Sequence, residues 1–293
     1  MTLADFIRLG LQLSIVLMVL GLGLNATLRD ATYLVRNPNL LARSLLAMFI
    51  VMPLFVIAGG VGFELVHPIA IALIALAVSP VPPVLPTKAV RAGGDPSFAV
   101  GLLATAATLA IVFVPLAVGL LGWISAVDAR ISVGAVALVV VATVLAPLGI
   151  GLAVGHFVPA FADRMAKAIS LAGTLLLIVC LVPVLISAWP AIEGLVGDGT
   201  IAAFAAFVVI GLVVGHLLGG PRPADRTVLA LCTATRHPGI AIAIGVATFP
   251  EETAITPAVL LYLLVAIVFS LPYVAWSKRR SAGALASTGT AHP

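Results

Sequence analysis

The chain has 293 residues, of which 62% are hydrophobic and only 9% charged, with a formal net charge of +4. Soluble domains run at about 45–50% apolar and roughly 25% charged residues, so this balance excludes a soluble globular protein and predicts one embedded in membrane lipid. The small positive excess suits membrane topology rather than a nucleic-acid partner. Cys180 and Cys232 both lie in apolar runs and supply no disulfide framework, metal-ligand set or cofactor motif.

Apolar runs of about 20 residues recur along the whole length, which predicts an all-α integral membrane protein. Nine membrane elements are expected, near 5–28, 39–61, 68–92, 96–122, 131–157, 164–189, 199–219, 224–248 and 255–277. The first, with "LQLSIVLMVLGLGL", has the look of a signal-peptide core. Only Asp5 and Arg8 precede it, however, while Arg29, Arg36 and Arg43 follow, a bias that favours a retained helix. The third contains "AVSPVPPVLPTKAV", with Pro80, Pro82, Pro83 and Pro86, and the eighth is interrupted at Pro238-Gly239. Proline lacks an N–H and clashes with the preceding turn, so each of these elements is expected to break into two half-helices. The small, polar stretch 281–293 reads as a disordered cytoplasmic tail behind one transmembrane domain over 1–280.

With the N-terminus outside and the C-terminus in the cytoplasm, all 15 basic residues except Arg8, Arg130 and Arg236 fall on the cytoplasmic side. The acidic loops around Glu64, Glu193 and Glu251 then lie outside, as the positive-inside rule asks of a bacterial-type inner or plasma membrane protein. Two unbroken elements precede each broken one within its half, and a long helix follows. The halves 5–122 and 164–277 therefore read as repeats of opposite orientation, linked by 131–157. Interrupted segments at matching places in two inverted halves point to a secondary transporter and to its binding site.

Arg236, in "CTATRHPGIAIAIG", is the charge placed far from both membrane faces. An arginine at mid-membrane costs about 2.5–3.5 kcal/mol on insertion scales, so it is expected to face protein, water or an anion. Its planar fork suits a carboxylate, sulfonate or phosphate; the alternative is a structural arginine bonded to carbonyls freed at a helix break. His237 beside it could hydrogen-bond substrate or carry a coupled proton, although the neighbouring guanidinium disfavours the imidazolium. Gly239 opens a half-helix whose N–H groups and positive dipole end attract an anion. Thr233, Thr235, Ser79 and Asn25 complete the expected substrate-binding set, with Pro80, Pro82, Pro83, Pro86 and Pro238 as the crossover hinges.

At these segments the chain resembles the bile acid:sodium symporter family. "MVLGLGLNATLRDATYLVRNPNLLARSLLAMFIVMPL" is similar to the family's opening, "SPVPPVLPTKAVRAGGDPSFAVGL" to its first crossover and "TRHPGIAIAI" to its second. The resemblance implies a core domain with two crossing broken helices, a panel domain, and alternating access. It also implies sodium sites at the crossovers, and there this chain departs from the pattern. Leu85 and Pro86 stand where the family has serine and asparagine, Cys232 where it has glutamate, Arg236 where it has glutamine and His237 where it has asparagine. Sodium is a hard cation that wants oxygen ligands, so the sodium-site positions Leu85, Pro86, Cys232 and Arg236 read as lost. Arg236 would then stand in permanently for the cation, and an organic anion would move without sodium. An auxin-efflux-like carrier of weak-acid anions is the alternative transporter. An intramembrane enzyme using His237 or Cys232 is a distant third, having no partner carboxylate or metal set.

Overall fold

The computed structural model describes residues 3–62, 65–124 and 132–289 of the chain. All regular structure among them is helical: α1 (Leu3–Leu24), α2 (Leu28–Ala31), α3 (Pro38–Leu45), α4 (Met52–Gly62), α5 (His67–Val78), α6 (Leu85–Arg91), α7 (Pro96–Ile124), α8 (Val133–Val140), α9 (Ala146–Phe157), α10 (Pro159–Glu193), α11 (Thr200–Leu218), α12 (Pro223–Ala234), α13 (Pro238–Thr248) and α14 (Ile255–Gly289). Arg130, Glu64 and residues 290–293 lie outside the described residues.

Among the described residues eight segments are long and apolar enough to cross a membrane, and the chain is an integral multi-pass membrane protein. The expected third element is the exception, because its prolines stop α5 at Val78, leaving only a short apolar helix before the break. The last helix continues through Gly289, into the stretch expected to be unstructured. The alanines and leucine of "SAGALAS" are good helix formers and extend it.

Two joints inside the expected second and fifth spans widen into π-helical turns, Leu46–Val51 and Val141–Leu145. Each comes just before a proline, Pro53 and Pro147. A proline ring clashes with the carbonyl four residues back, here Phe49 and Thr143, and the wider π-turn relieves the clash.

Packing divides the helices into two groups. In one, α1 packs against α9 and α10. Glycines carry that seam: a Cβ on Gly23 would sit 2.7 Å from the Leu148 carbonyl oxygen, and one on Gly173 would sit 2.9 Å from that of Ser14. Small residues allow such backbone approach where lipid offers no hydrophobic drive for helix association. In the other group, α11 lies along α12 through Gly211, Gly215 and Gly219, and α14 closes over both. The two broken elements belong to this second group. There α5 packs on α13 and α6 on α12, so the elements cross at their breaks.

At one end of the bundle a polar clasp joins the α2–α3 connection to the starts of α7 and α12. Arg222 forks onto Asp225 (2.7 and 2.8 Å), lies 3.6 Å from Asp95, and donates to the Tyr33 hydroxyl while its guanidinium sits 5.8 Å from that ring's centre. Beside it Asp30 accepts from the Thr27 backbone and side chain and from Ser97. Burial raises the Asp30 pKa, but these hydrogen bonds prevail and hold the carboxyl below the usual carboxylate range. A depressed pKa gives stability that is full above the unfolded value, about 4, and is lost as pH falls through the folded one. Asp30→Asn is therefore expected to flatten the fall in thermal stability on acidification below about pH 4. Unfolding temperatures of the two proteins across that range check this.

Candidate functional site: the crossover of the broken helices

Prolines leave three orphan carbonyls at the crossover; Arg236 of the second broken element satisfies two of them and Tyr262 of α14 the third. The Ser79 carbonyl ends α5. Its helical partners would be Pro82 or Pro83, which have no N–H. The Met48 carbonyl lies in the first π-turn, where the Met52 N–H is taken by Ala47 and the next residue is Pro53. Arg236 donates to both, from Nη1 to Ser79 O (3.2 Å) and from Nη2 to Met48 O (2.7 Å). The third orphan is the Ala234 carbonyl, whose helical donor would have been Pro238. The Tyr262 hydroxyl donates to it (2.8 Å) and accepts from the Arg236 N–H (3.1 Å). Finally, the His237 N–H donates to Pro80 O (3.0 Å), fastening one break directly to the other.

Arg236 and Tyr262 are both fully buried, and Tyr262 is wedged edge-on between Phe204 and Phe207. Buried backbone polar groups are normally paired, and an unpaired one costs about 1–3 kcal/mol. Tyr262→Phe keeps the ring packing while removing both hydroxyl bonds. A loss of about 1–3 kcal/mol is therefore expected, read as a lower unfolding temperature in detergent.

The structure gathers most of the expected site residues at this crossing, although not all in open positions. Ser79 is fully buried, with its hydroxyl on Leu76 O (2.9 Å), and it serves the crossing through its carbonyl. Thr233 is fully buried and its hydroxyl has no hydrogen-bond partner, nor does Arg236 Nε. Thr235 and His237 are half-buried and Gly239 is exposed. His237 Nδ1 accepts from the Ile240 N–H (3.3 Å), capping α13 with an unprotonated nitrogen. Pro80, Pro82 and Pro83 fill the first break, Pro86 sits in the first turn of α6, and Pro238 opens α13. Leu85, Pro86 and Cys232 are buried. Asn25 is not part of the assembly: it lies exposed beyond α1, beside the clasp at the bundle end. In this conformation the Arg236 guanidinium is held on carbonyls and has no solvent-exposed surface. A crevice of about 130 Å³ opens between α5 and α13, lined by Ile71, Ile74 and Thr248 and rimmed by His67 packed edge-on against Phe249.

Tyr262 and the Met48 carbonyl were missed by sequence reasoning. A tyrosine in the middle of "AVLLYLLVAIV" is a usable signal, since a buried hydroxyl needs a partner. Met-Pro within the second span marks a freed carbonyl in the same way.

A bundle of apolar helices in which two broken elements meet at a charged, proline-made crossing is the architecture of a membrane transporter. The chain belongs to the sodium bile acid symporter family, whose sequence profile matches residues 12–192. The matched stretch includes the first broken element and ends before the second, which carries Arg236. Members of that family are transporters and not enzymes. A comparison with curated proteins finds no match.

Proposed function

We propose that the protein carries a small organic anion by alternating access, with Arg236 as a tethered cation in place of sodium. The observation that carries this reading is the guanidinium lodged on the Ser79 and Met48 carbonyls at the crossing. Carbonyl oxygens are the kind of ligand a hard cation takes, and here a side chain supplies the positive charge. A sodium ion about 4 Å from that guanidinium would meet repulsion of about 4 kcal/mol at an effective dielectric near 20. The neighbouring thiol of Cys232 and the side chains of Leu85 and Pro86 offer it no oxygen.

The anion contacts are the open parts of the same motif. Pro238 has no N–H and His237 caps that of Ile240, so the N–H of the exposed residue Gly239 heads α13, with Thr235 and His237 beside it. Arg236 adds positive potential from behind, through low-dielectric protein. His237 acts as a neutral hydrogen-bonding group, because taking a proton on Nδ1 would remove the cap. That disfavours His237 as the carrier of a coupled proton. The N-terminus is placed outside and the clasp in the cytoplasm, from the distribution of basic residues.

Uptake of a panel of organic carboxylates and sulfonates into proteoliposomes, in sodium and in choline media, tests this reading. At least one anion is expected to enter equally in both. Uptake that requires sodium, or a panel that is not transported at all, would overturn it.

A further inference from the structure

A second site lies at the boundary of the bundle, away from the crossing. Between α11 and α14 a notch of about 240 Å³ is lined by Leu212, Val213, Leu217, His216, Tyr273 and Trp276. Val213, Leu217 and Trp276 are 51%, 73% and 47% exposed. They belong to membrane-spanning segments, so the notch opens toward acyl chains rather than water. Its deep wall is fixed. His216 Nδ1 is 2.8 Å from the Tyr273 hydroxyl, and the His216, Tyr273 and Trp276 rings pack mutually at 5.5–5.8 Å.

The notch sits where α11 ends and the run "SKRR" begins, and its rim is basic. The Arg280 guanidinium lies 5.5 Å from the centre of the Trp276 ring. Tyr273 also donates to the Arg226 carbonyl oxygen (3.4 Å), while the Arg226 side chain is taken up by the Gly220 carbonyl (2.7 Å), which leaves Arg280 as the basic group at the rim. Lys278 and Arg279, both exposed, are the other basic residues of this run, with Lys278 on the opposite face of the helix from Trp276. Tryptophan and tyrosine favour the headgroup level, and basic pockets between helices favour anionic headgroups.

We infer that this notch is a binding site for an anionic phospholipid, with an acyl chain against Leu212, Val213 and Leu217 and the headgroup phosphate on Arg280. The commitment to an anionic lipid rests on charge complementarity at the rim combined with an apolar notch that a free phosphate would leave unfilled.

The test uses the full chain in lipid-depleted detergent, with native mass spectrometry to count retained lipid. Phosphatidylglycerol and phosphatidylcholine of matched acyl chains are compared. Phosphatidylglycerol is expected to be retained several-fold better, and Arg280→Ala to lower its apparent affinity roughly fivefold, as one basic group near a headgroup would. Should that variant fail to fold, a salt titration on the unaltered protein replaces it, and phosphatidylglycerol retention is expected to fall as salt rises. Equal retention of the two lipids would overturn the inference. So would unchanged retention in Arg280→Ala, insensitivity to salt, or thermal stabilisation by inorganic phosphate equal to that by the lipid.

Discussion

Arg236→Ala is expected to destabilise the protein by about 3 kcal/mol or more, the largest effect of any single side-chain truncation at the crossing. The substitution strips donors from the Ser79 and Met48 carbonyls together. Hydrogen bonds to a charged group contribute about 1.5–3 kcal/mol each, and the removed side chain leaves a void in a fully buried place. Lysine is expected to recover only part of the loss, since a point charge lacks the fork that reaches two acceptors on different helices. The origin of one acceptor gives a sharper check. Pro53→Ala restores an N–H near the Met48 carbonyl, so that carbonyl can find a partner in its own helix. The Arg236→Ala loss should therefore be smaller in a Pro53→Ala background, by about 0.5 kcal/mol or more. Unfolding in detergent for the four proteins of that cycle measures it. Strict additivity would mean that Pro53 does not make the acceptor that Arg236 fills.

Gly215→Leu is expected to prevent stable assembly of the crossing altogether. Even a Cβ at Gly215 would lie 2.5 Å from Ala230 Cα and from the Leu229 carbonyl oxygen, and both are backbone atoms that no rotamer change can move. Gly211 and Gly219 meet α12 in the same way, at Ala234 and Arg226. The three form one stripe at four-residue spacing, along which α11 sets the position of α12. Overpacking a tight interface costs about 1–3 kcal/mol even when side chains can adjust, and here helices must separate. Arg236 and Thr235 follow α12 directly, so displacing that helix also pulls the guanidinium off its carbonyls. Size-exclusion behaviour and thermal unfolding of Gly215→Ala and Gly215→Leu should show a graded loss. By contrast, Gly149→Ala is expected to be nearly silent, because a Cβ there meets nothing within 4 Å.

The contrast between what was legible and what was not follows the range of each interaction. Broken helices are written locally, since Pro80, Pro82, Pro83 and Pro238 act on their own turns. Arg236 is legible as a costly mid-membrane charge for the same reason. Its partners are not: the Met48 and Ser79 carbonyls come from the other half of the chain, and backbone acceptors have no residue signature. Hence the sequence leaves a substrate-facing and a structural arginine both open, whereas the fold buries the guanidinium on carbonyls. Asn25 misleads because a polar residue near a helix end is compatible with either a cavity or a boundary, and only packing decides. The stretch 281–289, expected as part of a disordered tail over 281–293, is helical instead, since small residues that look like tail also propagate a helix once one has begun.

We propose that a fixed guanidinium stands in for a sodium ion at the crossing. Thermal unfolding of the unaltered protein during a sodium titration, with choline replacing sodium at constant ionic strength, tests it most directly. Superimposable unfolding curves are expected at every sodium concentration. A saturable, sodium-specific rise in unfolding temperature would contradict it.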